Sequence, residues 1–176
     1  MTASPATSPI TTSQTIGPFS HEAWQWAVDL SAVANADATG ITISGTIYDG
    51  DGVPINDAQI EAWQPGADAA EAAFDVPAFR RIPSGEQGGF SLTLAAIAHE
   101  GGQPAAYITV FARGLVKHQF TAVFLADDAD LAKSAILEQV PAARRPTLIA
   151  TRADDGSYRW DIRMQGELET AFFDYV

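Results

Sequence analysis

The side chain best placed to do chemistry in this sequence is an arginine that closes an apolar run. Pro104 to Gly114 spells PAAYITVFARG, so Arg113 follows Val110-Phe111-Ala112 and precedes a glycine turn. A guanidinium there presents a planar fork of donors that matches a carboxylate. Such a contact contributes about 1.5–3 kcal/mol when partly desolvated. The plain alternative is a solvated or salt-bridged rim residue. A second candidate is Thr15-Ile16-Gly17-Pro18-Phe19. Glycine lets backbone approach a ligand closely and proline fixes the direction of the chain beside it, although an ordinary turn would use the same residues.

The other reactive types stand in no productive pattern. His21, His99 and His118 are far apart, in neither His-x-His nor His-x-x-x-His spacing, and isolated histidines are poor ligand candidates. No cysteine is present, which excludes disulfides, thiolate metal sites and thiol catalysis. No serine sits in a G-x-S-x-G elbow, and no glycine-rich phosphate loop follows a strand. Asp49-Gly50-Asp51-Gly52 lacks the later ligands of a calcium loop and is taken as a turn.

Charge narrows the partners. The formal net charge is −12, which argues against nucleic acid, since phosphate contacts need a basic surface. An anionic substrate would be repelled at long range, so a site for one needs a local cation. No apolar run is long enough to span a membrane. The opening MTASPATSPITTS has neither the basic nor the apolar region of a secretory signal. The expectation is a cytoplasmic protein with a flexible arm over residues 1–14 and a single domain over 15–176.

These residues need a scaffold, and hydrophobic alternation outlines one. Ile41, Ile43 and Ile47 alternate with Thr42, Ser44 and Thr46; Phe90, Leu92 and Leu94 with Ser91 and Thr93; Tyr158, Trp160, Ile162 and Met164 with Arg159, Asp161 and Arg163. A period of two marks half-buried strands. Strands are also expected over Ile60–Gln64, where Ile60, Ala62 and Gln64 oppose Glu61 and Trp63, and around 104–114 and Gln119–Leu125, with shorter ones near Leu148–Ala150 and Ala171–Tyr175. The DGDG run suits a hairpin. One helix is predicted over about Asp128–Gln139, capped by Asp127 with Asp130 and stopped by Pro141. His21–Leu30 stays open between helix and extended segment, because Trp24 and Trp26 do not share a helical face. Pro65–Gly89, rich in Ala, Gly and Pro, is expected to be a long functional or interface loop. The fold class is all-β: an antiparallel β-sandwich with one short helix and long loops.

Taken together, SQTIGPF, GTIYDGDGVPINDAQIEAWQ, the FARG strand end, ILEQVPAARRPTLIA and YRWDIRMQGELETAFFDY resemble the intradiol ring-cleaving dioxygenases. Within them the chain resembles the non-metal-binding alpha-type chains of the protocatechuate 3,4-dioxygenase family, over most of its length. The resemblance implies a β-sandwich and an αβ enzyme whose ferric ion is held by two tyrosines and two histidines of the beta chain. The ligand positions do not carry over to this chain. Ala105 and Tyr107 stand where a His-x-His pair would be, Glu71 falls near the first tyrosine, and no Pro-Gly-x-Tyr follows Leu94.

What the resemblance transfers is the wall of the site. Thr15, Gly17, Pro18 and Arg113 match the alpha-chain residues that lie beside the beta chain's iron pocket. Arg113 would then hold the carboxylate of protocatechuate. The implied reaction uses O2 to cleave between the two hydroxyl-bearing carbons, giving 3-carboxy-cis,cis-muconate. The implied partner is a beta subunit in a higher αβ oligomer, and this chain alone is expected to be inactive. An obligate pair would bury roughly 2,000 Å² or more; Trp24, Trp26, Phe79 and the Ala/Pro-rich loop are candidate interface residues. The competing reading is a non-catalytic β-sandwich that binds or scaffolds, since a sandwich does not define a function.

Overall fold

The alternating segments become strands whose apolar faces meet in one core. The computed structural model describes residues 15–17 and 23–174. Its strands are β1 (Thr42–Tyr48), β2 (Gln59–Trp63), β3 (Phe79–Pro83), β4 (Gly89–Thr93), β5 (Ala106–Phe111), β6 (Gln119–Leu125), β7 (Ile149–Arg152), β8 (Tyr158–Arg159) and β9 (Ile162–Arg163). Ile43 and Ile47 of β1, Ile60 and Ala62 of β2, and Ile108 and Val110 of β5 are buried in one cluster with Leu92, Trp160 and Ile162.

The strands pair as a single sheet in the order β3-β2-β5-β6-β7-β8-β1-β4, with β9 also beside β1. The sheet curls until it is nearly closed. The pairing is mixed, not purely antiparallel as expected: β6–β7, β1–β8 and β1–β9 run parallel. The DGDG turn does not join two paired strands either. Asp49 Oδ1 accepts the N–H groups of Asp51 and Val53 and Tyr48 bridges Pro54. The chain then leaves for β2, which pairs with β3 and β5.

The alternation over 158–164 is real but interrupted. A Cβ on Gly45 would lie 1.7 Å from the Trp160 carbonyl oxygen, so only glycine lets β1 pass so close. The adjacent Thr46 N–H donates to the Asp161 carboxylate at 2.9 Å instead of to backbone. One strand thereby becomes two short ones. The terminal strand expected near 171–175 reduces, among the described residues, to one bridge between Phe120 and Phe173.

The helices differ most from expectation. The long one, α1, spans Gln25–Asp37. The Asp128–Gln139 segment holds only a 3₁₀ turn at Leu131–Lys133 and a single turn, α2, at Ala135–Glu138. Asp127 is not its cap, because its carboxylate accepts from Tyr158 Oη and Arg152. Ser134 Oγ accepts the Leu137 N–H in that role.

Within the supposed loop 65–89, β3 pairs along all of β2. It is one end of the sheet order and β4 is the other. Arg80 Nε of β3 donates to the Thr93 carbonyl at the end of β4, at 3.0 Å. Helix α1 fastens the same two strands: Ser31 Oγ accepts the Arg81 N–H and Asn35 Oδ1 accepts the Thr93 N–H, both at 2.6 Å. Edge groups that would otherwise be open are thereby satisfied.

Candidate functional site

Strand β5 arranges the candidate residues by parity. Its Ile, Thr, Val and Phe residues suit a pleated strand. Ala106, Ile108 and Val110 are buried, while Tyr107, Thr109 and Phe111 on the opposite face are half-buried. The alternation continues past the last paired residue to Ala112, buried, and Arg113, whose side chain is 70% exposed. A turn follows, with Leu115 N–H donating to the Ala112 carbonyl and Gly114 at φ 91°.

Arg113 meets Asp57. Its Nε lies 3.0 Å from Asp57 Oδ2. The pairing register explains why: β2 and β5 align Gln59 with Phe111, and two further residues on each strand bring Asp57 opposite Arg113. Asp57 carries no motif, so sequence reading missed it; the register, once known, finds it directly.

The outer face of β3-β2-β5-β6 is aromatic and charged. Trp24 packs edge-on to Phe111 with centroids 5.3 Å apart, His118 lies between Phe111 and Phe120, and Arg81 stacks over Trp24 at 4.5 Å. Arg81 also pairs with Glu61 across the β2–β3 ladder. Tyr107 and Thr109 border a cavity of about 340 Å³ with Trp63, Phe79 and Phe120. Ala105 and Tyr107 border another of about 460 Å³, walled by residues from 64–66 and 97–104.

Glu71 is a buried ion-pair partner. Its side chain is 3% exposed and that of Arg80 is 1% exposed. Oε2 accepts from Ala78 N–H at 2.8 Å and Arg80 Nη1 at 2.9 Å, and Arg80 Nη2 reaches Oε1. Burial works against the ionised carboxyl; the Arg80 hydrogen bonds, the Ala78 N–H and the Arg80 charge outweigh it and hold Glu71 below the usual carboxylate range.

The remaining candidates are scattered. Gly17, at φ 73°, donates weakly to Thr15 Oγ1 at 3.4 Å. No hydrogen bond or ion pair among the described residues joins Thr15 or Gly17 to Arg113, and Pro18 lies outside the described residues, as do His21 and the 1–14 arm. His99 faces Asp128 at 3.4 Å. Burial opposes the Asp128 charge, but N–H groups of Asp130 and Gly102, with His99, hold its carboxyl low. Among the described residues no group of three or more His, Cys, Asp or Glu side chains could hold a metal ion. No described helix is long and apolar enough to cross a membrane.

Comparison with known proteins gives a consistent picture. No family model matches the chain. The protocatechuate 3,4-dioxygenase alpha chain of Burkholderia cepacia is 35% identical, over 93% of this chain and 96% of that one. The alpha chain of the same name from Pseudomonas putida is 34% identical, over 95% and 97%. Among solved structures, similarity extends to the dioxygenase domain of a dioxygenase–carbohydrate-binding protein fusion from Streptomyces sp. SirexAA-E. That match has a TM-score of 0.56 at 16% identity, over 77% of this chain and 84% of that one. Hydroxyquinol 1,2-dioxygenase from Pseudomonas putida DLL-E4 matches with a TM-score of 0.53 at 17% identity, over 73% and 58%. At these identities the two structures speak for the fold.

Proposed function

The chain belongs to the family of protocatechuate 3,4-dioxygenase alpha chains, and from that premise we propose that it completes a ring-cleaving site whose metal a companion chain holds. The observation that carries this reading is the pairing of a missing ligand set with a placed cation on one strand. Ala105 offers no ligand atom, and the Glu71 carboxylate is committed to Arg80. With Tyr107 beside them, these residues do not fit a ferric ion, which needs several oxygen and imidazole ligands. Arg113 stands exposed beyond the end of the same strand.

In this reading the companion is a beta chain that carries Fe(III), and the substrates are protocatechuate and O2. Arg113 supplies the local cation that an otherwise strongly anionic chain requires. Its guanidinium takes the carboxylate of the aromatic acid, and Thr15, Gly17 and Pro18 complete the wall. This chain contributes binding and orientation to intradiol cleavage; the metal's contribution to the chemistry belongs to the companion. The outer face bearing Trp63, Phe79, Phe111 and Phe120 is apolar and aromatic enough to pack against that companion. We read the curled sheet as the family's β-sandwich, residues 15–176 as one domain, and the assembly as a cytoplasmic higher αβ oligomer.

Substituting Arg113→Ala in the assembled enzyme tests the reading. Use of protocatechuate should fall far more than use of catechol, which has no carboxylate. Equal losses on both substrates would make Arg113 a structural residue and remove the proposed contact.

A further inference from the structure

Helix α1 buries one face and leaves the other uncovered. Ala27, Ser31 and Ala34 are buried, on the side that fastens β3 and β4. Trp26, Leu30 and Val33 recur at i, i+4 and i+7 on the other side, and all three are exposed, Trp26 at 65% and Val33 at 57%. That spacing makes an apolar stripe, and such a stripe facing water marks a contact surface.

Beside the stripe lies a cleft of about 250 Å³ between the helix and residues 73–75. Leu30, Val33 and Phe74 line it together with Asp29 and Asp75, and no described lysine or arginine does. Among the described residues neither carboxylate is in an ion pair; Asp29 Oδ1 accepts the side-chain amide of Gln25 at 2.8 Å. Apolar walls with unpaired anions select a long cationic side chain, whose methylenes lie along the walls while its head meets the carboxylates.

Charge decides among the occupants. A twofold contact between copies would set Asp29 and Asp75 against themselves, on chains of net charge −12 each. Residues 1–14 of this chain contain no lysine or arginine. A companion chain can supply the cation, and α1 begins where one would lie: Trp24 at its cap packs on Phe111 of the aromatic outer face.

We propose that α1 and residues 73–75 form a docking site for the companion chain, which covers Trp26 with an apolar side chain and sets a lysine or arginine against Asp29 and Asp75. The proposal rests on the reading of this chain as one half of a two-chain enzyme.

The experiment uses the full-length chain, a beta-type companion bearing a His-x-His strand, and the variants Trp26→Ser, Val33→Ser and Asp29→Asn/Asp75→Asn. All four positions are exposed, so urea midpoints of the free variants should match the parent's, which separates docking from folding. Dissociation is followed by exchange of labelled against unlabelled chain, and association by rapid mixing at low and high salt. Trp26→Ser should speed dissociation about 30-fold or more, as expected of a tryptophan anchor. Val33→Ser should speed it about 5-fold. The double Asn variant should slow association about 5-fold at low salt and leave it unchanged at high salt, where screening has already removed the charge contribution.

Unchanged dissociation in Trp26→Ser, or a slowing by the Asn variant that ignores salt, overturns the proposal. Self-association of the free chain that Trp26→Ser abolishes, with companion binding intact, would make a second copy the occupant. Faster hydrogen exchange over residues 25–37 of the complex once residues 1–14 are removed would make that arm the occupant. Either result also overturns the proposal. If the two chains do not associate at all, the two-chain reading fails with it; if they associate and all three variants are silent, the docking site alone fails.

Discussion

Removing one side of the Glu71–Arg80 pair should be far more damaging than removing both. The two side chains are 3% and 1% exposed, so either charge left alone would be stranded out of water. In Arg80→Met the Glu71 carboxylate keeps only the Ala78 N–H, and the Phe79 and Thr93 carbonyls lose their guanidinium donor. Stranding a buried charge in this way costs about 3–5 kcal/mol. In Glu71→Leu the guanidinium keeps two carbonyl acceptors, Phe79 and Thr93, so its loss should fall at the lower end of that range. The double variant Glu71→Leu/Arg80→Met strands no charge and fills the same space with apolar atoms. Such replacements are often close to neutral; the two carbonyls left without a donor are only part-buried and add roughly 1 kcal/mol each. The coupling energy should therefore exceed about 2 kcal/mol and favour the double variant. Hydrogen exchange on peptides covering β3 and β4 reads the effect on this chain even within a complex. A loss of 3–5 kcal/mol corresponds to roughly two to three and a half decades in protection. Single-variant losses that simply add in the double variant would refute the idea that each charge exists to compensate the other.

Two further outcomes follow from the same structure. Gly45→Ala should prevent β1 from passing the Trp160 carbonyl, since the new Cβ would lie 1.7 Å from that oxygen; a loss of about 3 kcal/mol or more is expected, measured as urea midpoint or as failure to accumulate soluble protein, and a stability equal to the parent's would contradict the close approach. Glu71 has a folded-state pKa below its ordinary 4.5, so its contribution is present above that value and disappears as pH falls through the folded pKa. Stability should therefore drop on acidification below about pH 4.5, and Glu71→Gln should make that drop shallower; an equally steep drop would assign the acid sensitivity to other carboxylates.

The sequence foretold most clearly what depends on a local period. Alternation located β1, β2 and β4, and apolar runs located β5 and β6 and put Arg113 at an exposed strand end. It failed where a distant partner decides. Strand β3 has no such pattern and exists because its backbone pairs along β2. Arg80 and Glu71, which lie in a segment that looked like loop, are buried because they neutralise each other. Trp24 and Trp26 resisted a helical assignment for a physical reason: Trp24 sits at the cap and turns back onto Phe111 and Arg81, while Trp26 is 65% exposed. The Asp128–Gln139 helix was overestimated because Asp127 bonds to Tyr158 and Arg152, which only the fold brings near. At the candidate site, Arg113 was legible as a strand-end charge; its ion-pair partner Asp57 was not, because only the β2–β5 register brings the two together.

The most direct test is where iron resides when the chain is purified alone and together with a companion bearing a His-x-His strand. The account predicts iron, and ring-cleaving activity on protocatechuate, only in the complex, with one ferric ion per pair. Stoichiometric, tightly bound iron on this chain alone would contradict it.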